Sequence, residues 1–441
     1  MRVSSHWYNK MEVKMQRRAI VIISVLLCLT ACFAMAETGE IISGDYVYKV
    51  LPDGTAEIIR YSHETEWDIE SMDVFAPAER NVIEQFDIPA SIDGYYVSSI
   101  AARAFYGMAD VIHVTVPEGV TSIGIGAFNG CDDMISIKLP NSLAYLGGNP
   151  FEECYSLTSI ELPPNHPYLV VYDDVLFSIP DKRLICFPYS KQHIEEITDP
   201  NDMFYGGKSF DAEYDIPHGV EIIGDAAFAG CEGLNRISIP NTVVHIGDRA
   251  FSGCALEIVD IPNSVTSIGS LAFYYNFNIE KVVLPASLTT IGDNPFAGCE
   301  ALGKIKVASS NPELGIKDGV LFSKSDMRLV AYPGAKEVKE YKIPKGVKVV
   351  GAYAFLQCSI EKITVPSSVT TIGEYAFADI YNLKKIIVPD SVTEIGEEAF
   401  RQMLDWDDEL VIETEKGSYA RAYWENYIKG AIDDRDDHMS D

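Results

Sequence analysis

Six of the nine cysteines in this 441-residue chain recur three residues after a phenylalanine of a periodic pattern. They are Cys131, Cys154, Cys231, Cys254, Cys299 and Cys358. Cysteine thiolates bind zinc or act as nucleophiles, and exported proteins use cysteines in disulfides. Other copies of the pattern hold Met108, Asn276, Ile380 and Met403 at this position. Because the position accepts such different side chains and no Cys-x-x-Cys pair occurs, we interpret it as a buried, reduced packing column. Disulfides between neighbouring copies and metal binding stay open as alternatives.

The histidines and glycine-rich segments form no recognisable catalytic pattern. Between the chain ends the histidines are dispersed, and no His-Glu-x-x-His occurs. The segment Gly124-Ile125-Gly126 begins a dinucleotide-binding pattern but lacks its third glycine, and neither Gly-x-Ser-x-Gly nor a phosphate-binding loop is present. The sequence therefore predicts a non-enzymatic protein with no catalytic residue, no metal site and no cofactor. An exported hydrolase with its site in residues 189–213 is the less favoured alternative.

The charge balance excludes one class of partner. The chain carries 65 acidic and 35 basic residues, a formal net charge of −30. Nucleic-acid-binding domains are basic, so nucleic acid is not an expected partner. With 47% hydrophobic residues, a chain of this length can bury a large core.

A repeat of 22–23 residues organises most of the chain. Its phenylalanines are Phe105, Phe128, Phe151, Phe228, Phe251, Phe273, Phe296, Phe355, Phe377 and Phe400. A typical copy combines Leu-x-x-Ile-x-Ile-Pro with Val-x-x-Ile-Gly-x-x-Ala-Phe. The alternating apolar residues predict a strand, the proline ends it, and the glycine suits a backbone position with positive φ. One copy cannot bury its own apolar face, so the repeats predict a stacked, β-rich solenoid.

This repeat resembles the BspA-like class of bacterial leucine-rich repeats over residues 95–400. The resemblance implies a right-handed, curved leucine-rich-repeat array of about 23-residue units. It also implies a secreted or surface protein, since characterised members resemble adhesins that bind host matrix proteins or other cells.

Two matching insertions and two atypical ends complete the predicted organisation. The insertions, at about 165–190 and 311–334, align at an offset of 145 residues and predict β-hairpins. An excursion follows the first insertion at 189–213. The solenoid is expected over 100–400, with a β cap region at 37–99 and a cap with a short helix at 401–430. Residues 431–441 are expected to be a disordered acidic tail.

Residues 1–36 predict an export signal. Basic residues precede the apolar run Ala19–Ala36, and Ala34-Met35-Ala36 offers a cleavage site. A second interpretation starts from Leu29-Thr30-Ala31-Cys32, which resembles a bacterial lipobox. In that case Cys32 is lipidated, and this anchor is the only expected contact with a membrane. Both interpretations predict an extracytoplasmic, secreted or cell-surface protein.

An outward-facing column on the repeat strands is the candidate binding surface. The second variable position of Leu-x-x-Ile should point outward and stack along the solenoid. In chain order it holds His113, Ser136, Ser159, Arg236, Ile258, Lys281, Lys304, Lys362 and Lys385, with Lys306 and Lys384 nearby. Residues 281–385 carry 14 basic and 10 acidic side chains, whereas 100–280 carry 8 and 24.

These charges predict a partner-binding stripe on a concave face. Its members are Arg236, Lys281, Lys304, Lys306, Lys362, Lys384 and Lys385. The alternative is a set of solvated lysines offset by Glu280 and Glu361. The predicted function is binding or adhesion to host, matrix or cell-surface ligands, with an extracellular protein or an anionic glycan or polymer as partner. A structural cell-envelope spacer or self-assembling repeat scaffold is the alternative function.

Overall fold

The computed structural model describes residues 39–62, 82–189, 194–196, 208–210, 212–401 and 410–426. The predicted signal peptide with Cys32, most of the excursion 189–213 and the acidic tail 431–441 lie outside these ranges. The described chain is a β-solenoid whose turns supply strands to two sets of parallel ladders. The predicted repeat solenoid is confirmed.

One set of ladders is built from the Leu-x-x-Ile-x-Ile segments, here called the long strands. Parallel pairing is in register, so equivalent repeat positions lie side by side. The long strands are Ile83–Asp87, Val111–Thr115, Ser136–Lys138 and Ser159–Glu161; Ala212–Asp215, Leu234–Ser238, Lys281–Leu284 and Lys304–Val307; and Glu340–Lys342, Lys362–Thr364, Lys385–Val388 and Val411–Thr414. They form an N-terminal, a middle and a C-terminal piece. The N-terminal piece begins at Ile83, within the region predicted as a cap.

The middle piece contains a weakly paired turn. Residues 256–261 form no strand and join their neighbours through the single bridges Arg236↔Ile258 and Val259↔Val282. Two further bonds run from the Glu257 N–H to the oxygen of Asn235 and from the Leu256 N–H to Asn276 Oδ1. These bridges still place Ile258 between Arg236 and Lys281 in the outward column.

The other set of ladders comes from the Val-x-x-Ile-Gly segments, here called the short strands. These strands are Tyr95–Ile100, Ser122–Ile123, Tyr145–Leu146, Ile222–Ile223, His245–Ile246, Ser267–Ile268, Thr290–Ile291, Val349–Val350, Thr371–Ile372 and Glu394–Ile395. Each is followed by the turn that carries the repeat phenylalanine.

Nine of the ten short strands given above are followed by a glycine that close packing requires, and the predicted reason for this glycine was wrong. Gly269 is not among the residues with positive φ. A Cβ on Gly269 would lie 2.5 Å from the main-chain nitrogen of Asp248 and 2.6 Å from the carbonyl carbon of Gly247, both in the preceding turn. Real Cβ atoms do not approach other atoms this closely, so the backbones of successive turns meet at a position that only glycine fits.

A column of stacked aromatic rings fills the core. Neighbouring repeat phenylalanines lie face to face, for example Phe228 and Phe251 with ring centroids 5.0 Å apart. Phe187 and Tyr332 continue the column inside the two insertions, and each lies 5.1 Å from the next phenylalanine. At the far end Trp424 meets Phe400 edge-on. Each ring thus covers the ring of the turn before it, which is how stacked copies bury an apolar face that one copy exposes.

Each insertion is a three-stranded antiparallel unit rather than a simple hairpin. The strands are Leu169–Tyr172, Val175–Ser178 and Arg183–Cys186 in the first, and Leu314–Lys317, Val320–Ser323 and Arg328–Ala331 in the second. The last strand of each unit then pairs in parallel with the next short strand. Of the excursion, only the antiparallel strands Ile194–Glu196 and Lys208–Phe210 are described.

An arginine fastens each insertion to the turn before it. The Arg183 guanidinium donates to the main-chain oxygens of Gly147 at 3.0 Å and Leu146 at 2.9 Å. Arg328 makes the same two bonds, at 3.3 and 2.9 Å, to the carbonyls 145 residues further on. The guanidinium therefore satisfies carbonyl groups where a short-strand ladder ends.

His166 and Asn311 begin the two insertions in the same way. His166 Nε2 bonds to the oxygen of the proline that ends an earlier long strand, at 3.0 Å, and its Nδ1 accepts the N–H three residues on. The amide of Asn311 makes the equivalent pair of bonds at 2.9 and 2.8 Å. This buried histidine is part of the framework.

The two ends differ from the repeats. At the N-terminus the strands are Glu40–Ser43, Tyr46–Val50, Ala56–Tyr61 and Ser91–Ile92. The third of these pairs in parallel with the first short strand. At the C-terminus residues 419–426 are helical, and Ser418 caps the helix by accepting the N–H of Arg421.

Candidate binding surface on the long strands

The side chains of the outward column lie next to one another because the long strands pair in register. In the middle piece Lys281 pairs with Lys304, and Val283 pairs with Lys306. These side chains point outward, whereas the alternate residues, such as Val282, are buried. Two lysines on neighbouring strands therefore stand about 4.8 Å apart along the ladder.

The lysines of the C-terminal piece are neutralised by glutamates. The ion pairs are Lys362–Glu340 at 3.5 Å, Lys384–Glu361 at 3.7 Å and Lys385–Glu413. Glu361 also pairs with Lys339. Arg236, in the middle piece, is paired with Glu213 at 2.8 Å. Of the two glutamates expected to offset the lysines, Glu361 pairs with Lys384, whereas the partners of Lys362, Lys385 and Arg236 are other glutamates.

Lys281, Lys304 and Lys306 differ from these side chains. Within the described ranges none of the three forms an ion pair, and Glu280 does not neutralise them. In the same ranges the long-strand ladder is interrupted between Val307 and Glu340. The predicted stripe is thus two separate groups, and its members without an ion pair in the described ranges, Lys281, Lys304 and Lys306, all lie in the middle piece.

A groove of about 600 Å³ lies beside Lys281. It is lined by Glu257, Ile258, Val259, Asp260, Asn278, Glu280, Lys281, Val283 and Ala301. Ile258 is 52% exposed and Val283 is 47% exposed, so its surface includes two large apolar side chains. The groove coincides with the weakly paired turn at residues 256–261.

The cysteine column has a packing role. All seven described cysteines are free and buried. The thiol of Cys154 donates to the oxygen of Phe128, and that of Cys299 donates to the oxygen of Phe273, at 3.1 and 3.2 Å. In another copy the amide of Asn276 makes the equivalent bond. Burial raises the pKa of Cys299 to about 12, which leaves the thiol protonated and poorly nucleophilic at neutral pH.

The outward histidines form local hydrogen bonds only. His113 and His245 each contact the serine hydroxyl on the next turn, at 2.8 and 2.6 Å. Within the described ranges no group of three or more His, Cys, Asp or Glu side chains is arranged to hold a metal ion. The helical residues described are too few and too polar to cross a membrane.

Comparison with known families identifies the repeat. The family model for the BspA type leucine rich repeat region matches residues 79–196, 197–325 and 330–410, in six copies. The chain belongs to the BspA-type leucine-rich repeat family. No curated protein matches it.

The BspA-type chain is also similar to solved bacterial structures. A leucine-rich cell surface protein from Faecalibacterium prausnitzii is 22% identical, with 87% of this chain and 96% of that chain covered and a TM-score of 0.36. A leucine-rich repeat protein from Eubacterium ventriosum is 22% identical, with 85% of this chain and 72% of that chain covered and a TM-score of 0.38. The pneumococcal vaccine antigen PcpA is 20% identical, with 81% of this chain and 77% of that chain covered and a TM-score of 0.33. At these values the similarity carries no conclusion about a ligand.

The repeat pattern alone does not single out the groove of this BspA-type chain. Ile258 belongs to the predicted outward column, but Val283 lies in the parallel column next to it. The available signal is a break in alternation, because outward positions on half-buried strands are normally polar. Finding the groove also requires knowing that these two strands are neighbours.

Proposed function

We propose that this chain is a non-enzymatic, extracytoplasmic recognition protein that binds an anionic ligand through Lys281, Lys304 and Lys306. One observation carries the proposal: Lys281 and Lys304 are the lysines of the outward column without an ion pair among the described residues, and they are paired in register, with Lys306 beside them. Membership of the BspA-type family and the predicted export signal support a role outside the cytoplasm.

The physical argument is one of uncompensated repulsion. Like charges directly opposite one another on neighbouring strands are unfavourable. At Lys362 and Lys385 the neighbouring glutamates remove this cost, whereas at Lys281 and Lys304 it stays. An anionic group placed across Lys281 and Lys304 would interact with both charges at once, so it has more to gain there than at the neutralised pair.

A pair of double variants tests the proposal. Lys281→Ala with Lys304→Ala removes the two lysines that are paired in register, and Lys362→Ala with Lys385→Ala is the matched control from the same column. Binding of polyglutamate and of polygalacturonate is measured at 50 and 300 mM salt.

We expect the first double variant to bind polyglutamate about tenfold more weakly at low salt, at roughly 0.7 kcal/mol per lysine. The control should change the affinity less than about threefold, and salt should reduce the difference because it screens exposed charges. Equal losses in the two double variants would show that net charge, and not this site, attracts the polymer.

A further inference from the structure

We infer that the site formed by Lys281, Lys304 and the adjacent groove takes a protein segment with an acidic side chain close to an apolar one, and not an anionic polysaccharide. This inference rests on the proposed function and names the class of its ligand. Three features carry it: the apolar surface of the groove, the acidic side chains on its rim and the spacing between apolar and cationic positions.

The groove surface is apolar where the N-terminal piece of the column is polar. Ile258 and Val283 are half-exposed on adjacent turns of the long-strand ladder. The equivalent outward position of the N-terminal piece holds His113, Ser136 and Ser159. Neighbouring exposed apolar side chains beside a concave surface mark a contact for another apolar group. An acidic polysaccharide is rich in hydroxyl and charged groups, so it makes few apolar contacts with these side chains.

The rim carries charges of both signs. Glu257, Asp260 and Glu280 line the groove and are exposed, while Lys281 and then Lys304 follow on the next turns. A polymer with an anionic group on every unit would lie against three carboxylates as well as the lysines. Like-charge contacts of this kind oppose binding and exclude wrong partners. A ligand with one or two acidic groups at the lysine end avoids them.

The spacing suits a short extended peptide. Ile258, Lys281 and Lys304 stand on successive turns, so the apolar and the distal cationic positions are about 10 Å apart. An extended peptide advances about 3.3 Å per residue, and its side chains two residues apart share one face. An acidic side chain two residues from an apolar one at Ile258 therefore lies about 6.6 Å away, between Lys281 and Lys304. The expected ligand presents an apolar residue, one intervening residue and an acidic residue.

The test uses an array of synthetic octapeptides in which one leucine and one glutamate are separated by different numbers of glycines. Polygalacturonate and polyglutamate serve as the anionic comparisons. The variant Ile258→Ser replaces one of the two exposed apolar side chains of the groove. Its matched control is Val411→Ser, because Val411 is 50% exposed at the same column position of the C-terminal piece. Both replaced side chains are on the surface, and circular dichroism checks the fold.

We expect the strongest binding by peptides with leucine and glutamate two residues apart, because these side chains share one face. Ile258→Ser should weaken that binding at least about fivefold and leave polygalacturonate binding unchanged, while Val411→Ser alters neither. One result would overturn this inference and leave the proposed function standing. In it, polygalacturonate binds with higher affinity than every peptide, and this binding is lost in the Lys281→Ala, Lys304→Ala variant but kept in Ile258→Ser. If no probe binds, or if binding is unchanged in the Lys281→Ala, Lys304→Ala variant, both this inference and the proposed function are overturned.

Discussion

Replacing Gly269 by alanine tests the close approach of successive turns. The added Cβ would lie 2.5 Å from the main-chain nitrogen of Asp248. An ordinary contact requires at least 3.4 Å, so the two turns must separate by about 1 Å. The neighbouring hydrogen bonds, such as the one from Gly269 N to Ile246 O at 2.9 Å, would then be stretched beyond normal length.

The expected loss of stability follows from these two effects. Overpacking costs about 1–3 kcal/mol, and each main-chain bond weakened between the turns costs about 1 kcal/mol. With two such bonds affected, Gly269→Ala should lower the free energy of unfolding by about 3–5 kcal/mol. The matched control is Gly303→Ala, because a Cβ there would meet only the side chain of Ala335, at 3.9 Å. Its effect should stay within about 0.5 kcal/mol.

The assay combines urea unfolding with hydrogen exchange. Circular dichroism reports the shift in midpoint, and exchange reports where protection is lost. In a repeat array each turn contacts its neighbours, so faster exchange should centre on the short strands 245–246 and 267–268. If Gly269→Ala were as stable as Gly303→Ala, the steric explanation for the repeat glycine would be refuted.

Three other measurements probe the framework. Arg328→Ala should destabilise the protein by about 2–4 kcal/mol because it leaves two carbonyls without their donor, whereas Arg236→Ala, which removes a solvent-exposed ion pair, should cost less than about 1 kcal/mol. Thermal unfolding compares the two variants, and equal losses of stability would contradict the proposed role of Arg328 in fastening the insertion. His166→Asn should be more stable than His166→Ala, because Asn311 makes the same hydrogen bonds in the other insertion. Equal urea midpoints for the two variants would show that asparagine does not replace His166 here. Burial raises the pKa of Cys299 from its ordinary 9.0 to about 12 and also raises the pKa values of Cys154, Cys186, Cys231, Cys254 and Cys358, so the contribution of these thiols to stability is complete below pH 9 and is lost as the pH rises towards 12. The free energy of unfolding should therefore fall between pH 8 and 10, by about 1.4 kcal/mol for a thiol with the pKa of Cys299, and urea midpoints that do not change with pH would contradict it.

The repeated features could be predicted from the sequence because every copy meets the same surroundings. The period identifies the strands, the buried phenylalanines and the outward column, including Lys281 and Lys304. Features that depend on neighbouring turns could not be predicted. Phe187 and Tyr332 complete the aromatic column, yet the insertions displace them from the 22–23-residue spacing. The strand that holds Glu340 carries a tyrosine where the repeat has isoleucine, which conceals the partner of Lys362.

The candidate site shows the same division. Charge counting locates a basic region, but ion pairing decides which of its lysines remain uncompensated. The partner of Lys385 is Glu413, on a strand that follows it after an irregular stretch of sequence. The need for glycine after the short strand could be predicted, but the reason for it could not, because positive φ and a close backbone approach select the same residue.

The junction elements of the two insertions repeat at a constant offset. Asn149, His166, Arg183 and Phe187 have counterparts in Asn294, Asn311, Arg328 and Tyr332, each 145 residues further on. Asn149 and Asn294 both donate to main-chain carbonyls of the turn beyond the insertion. A recombination event that gained or lost one such block would rebuild an identical junction and leave both terminal caps intact. The distance between the two ends of the molecule could therefore change in whole blocks over evolution without a new packing solution.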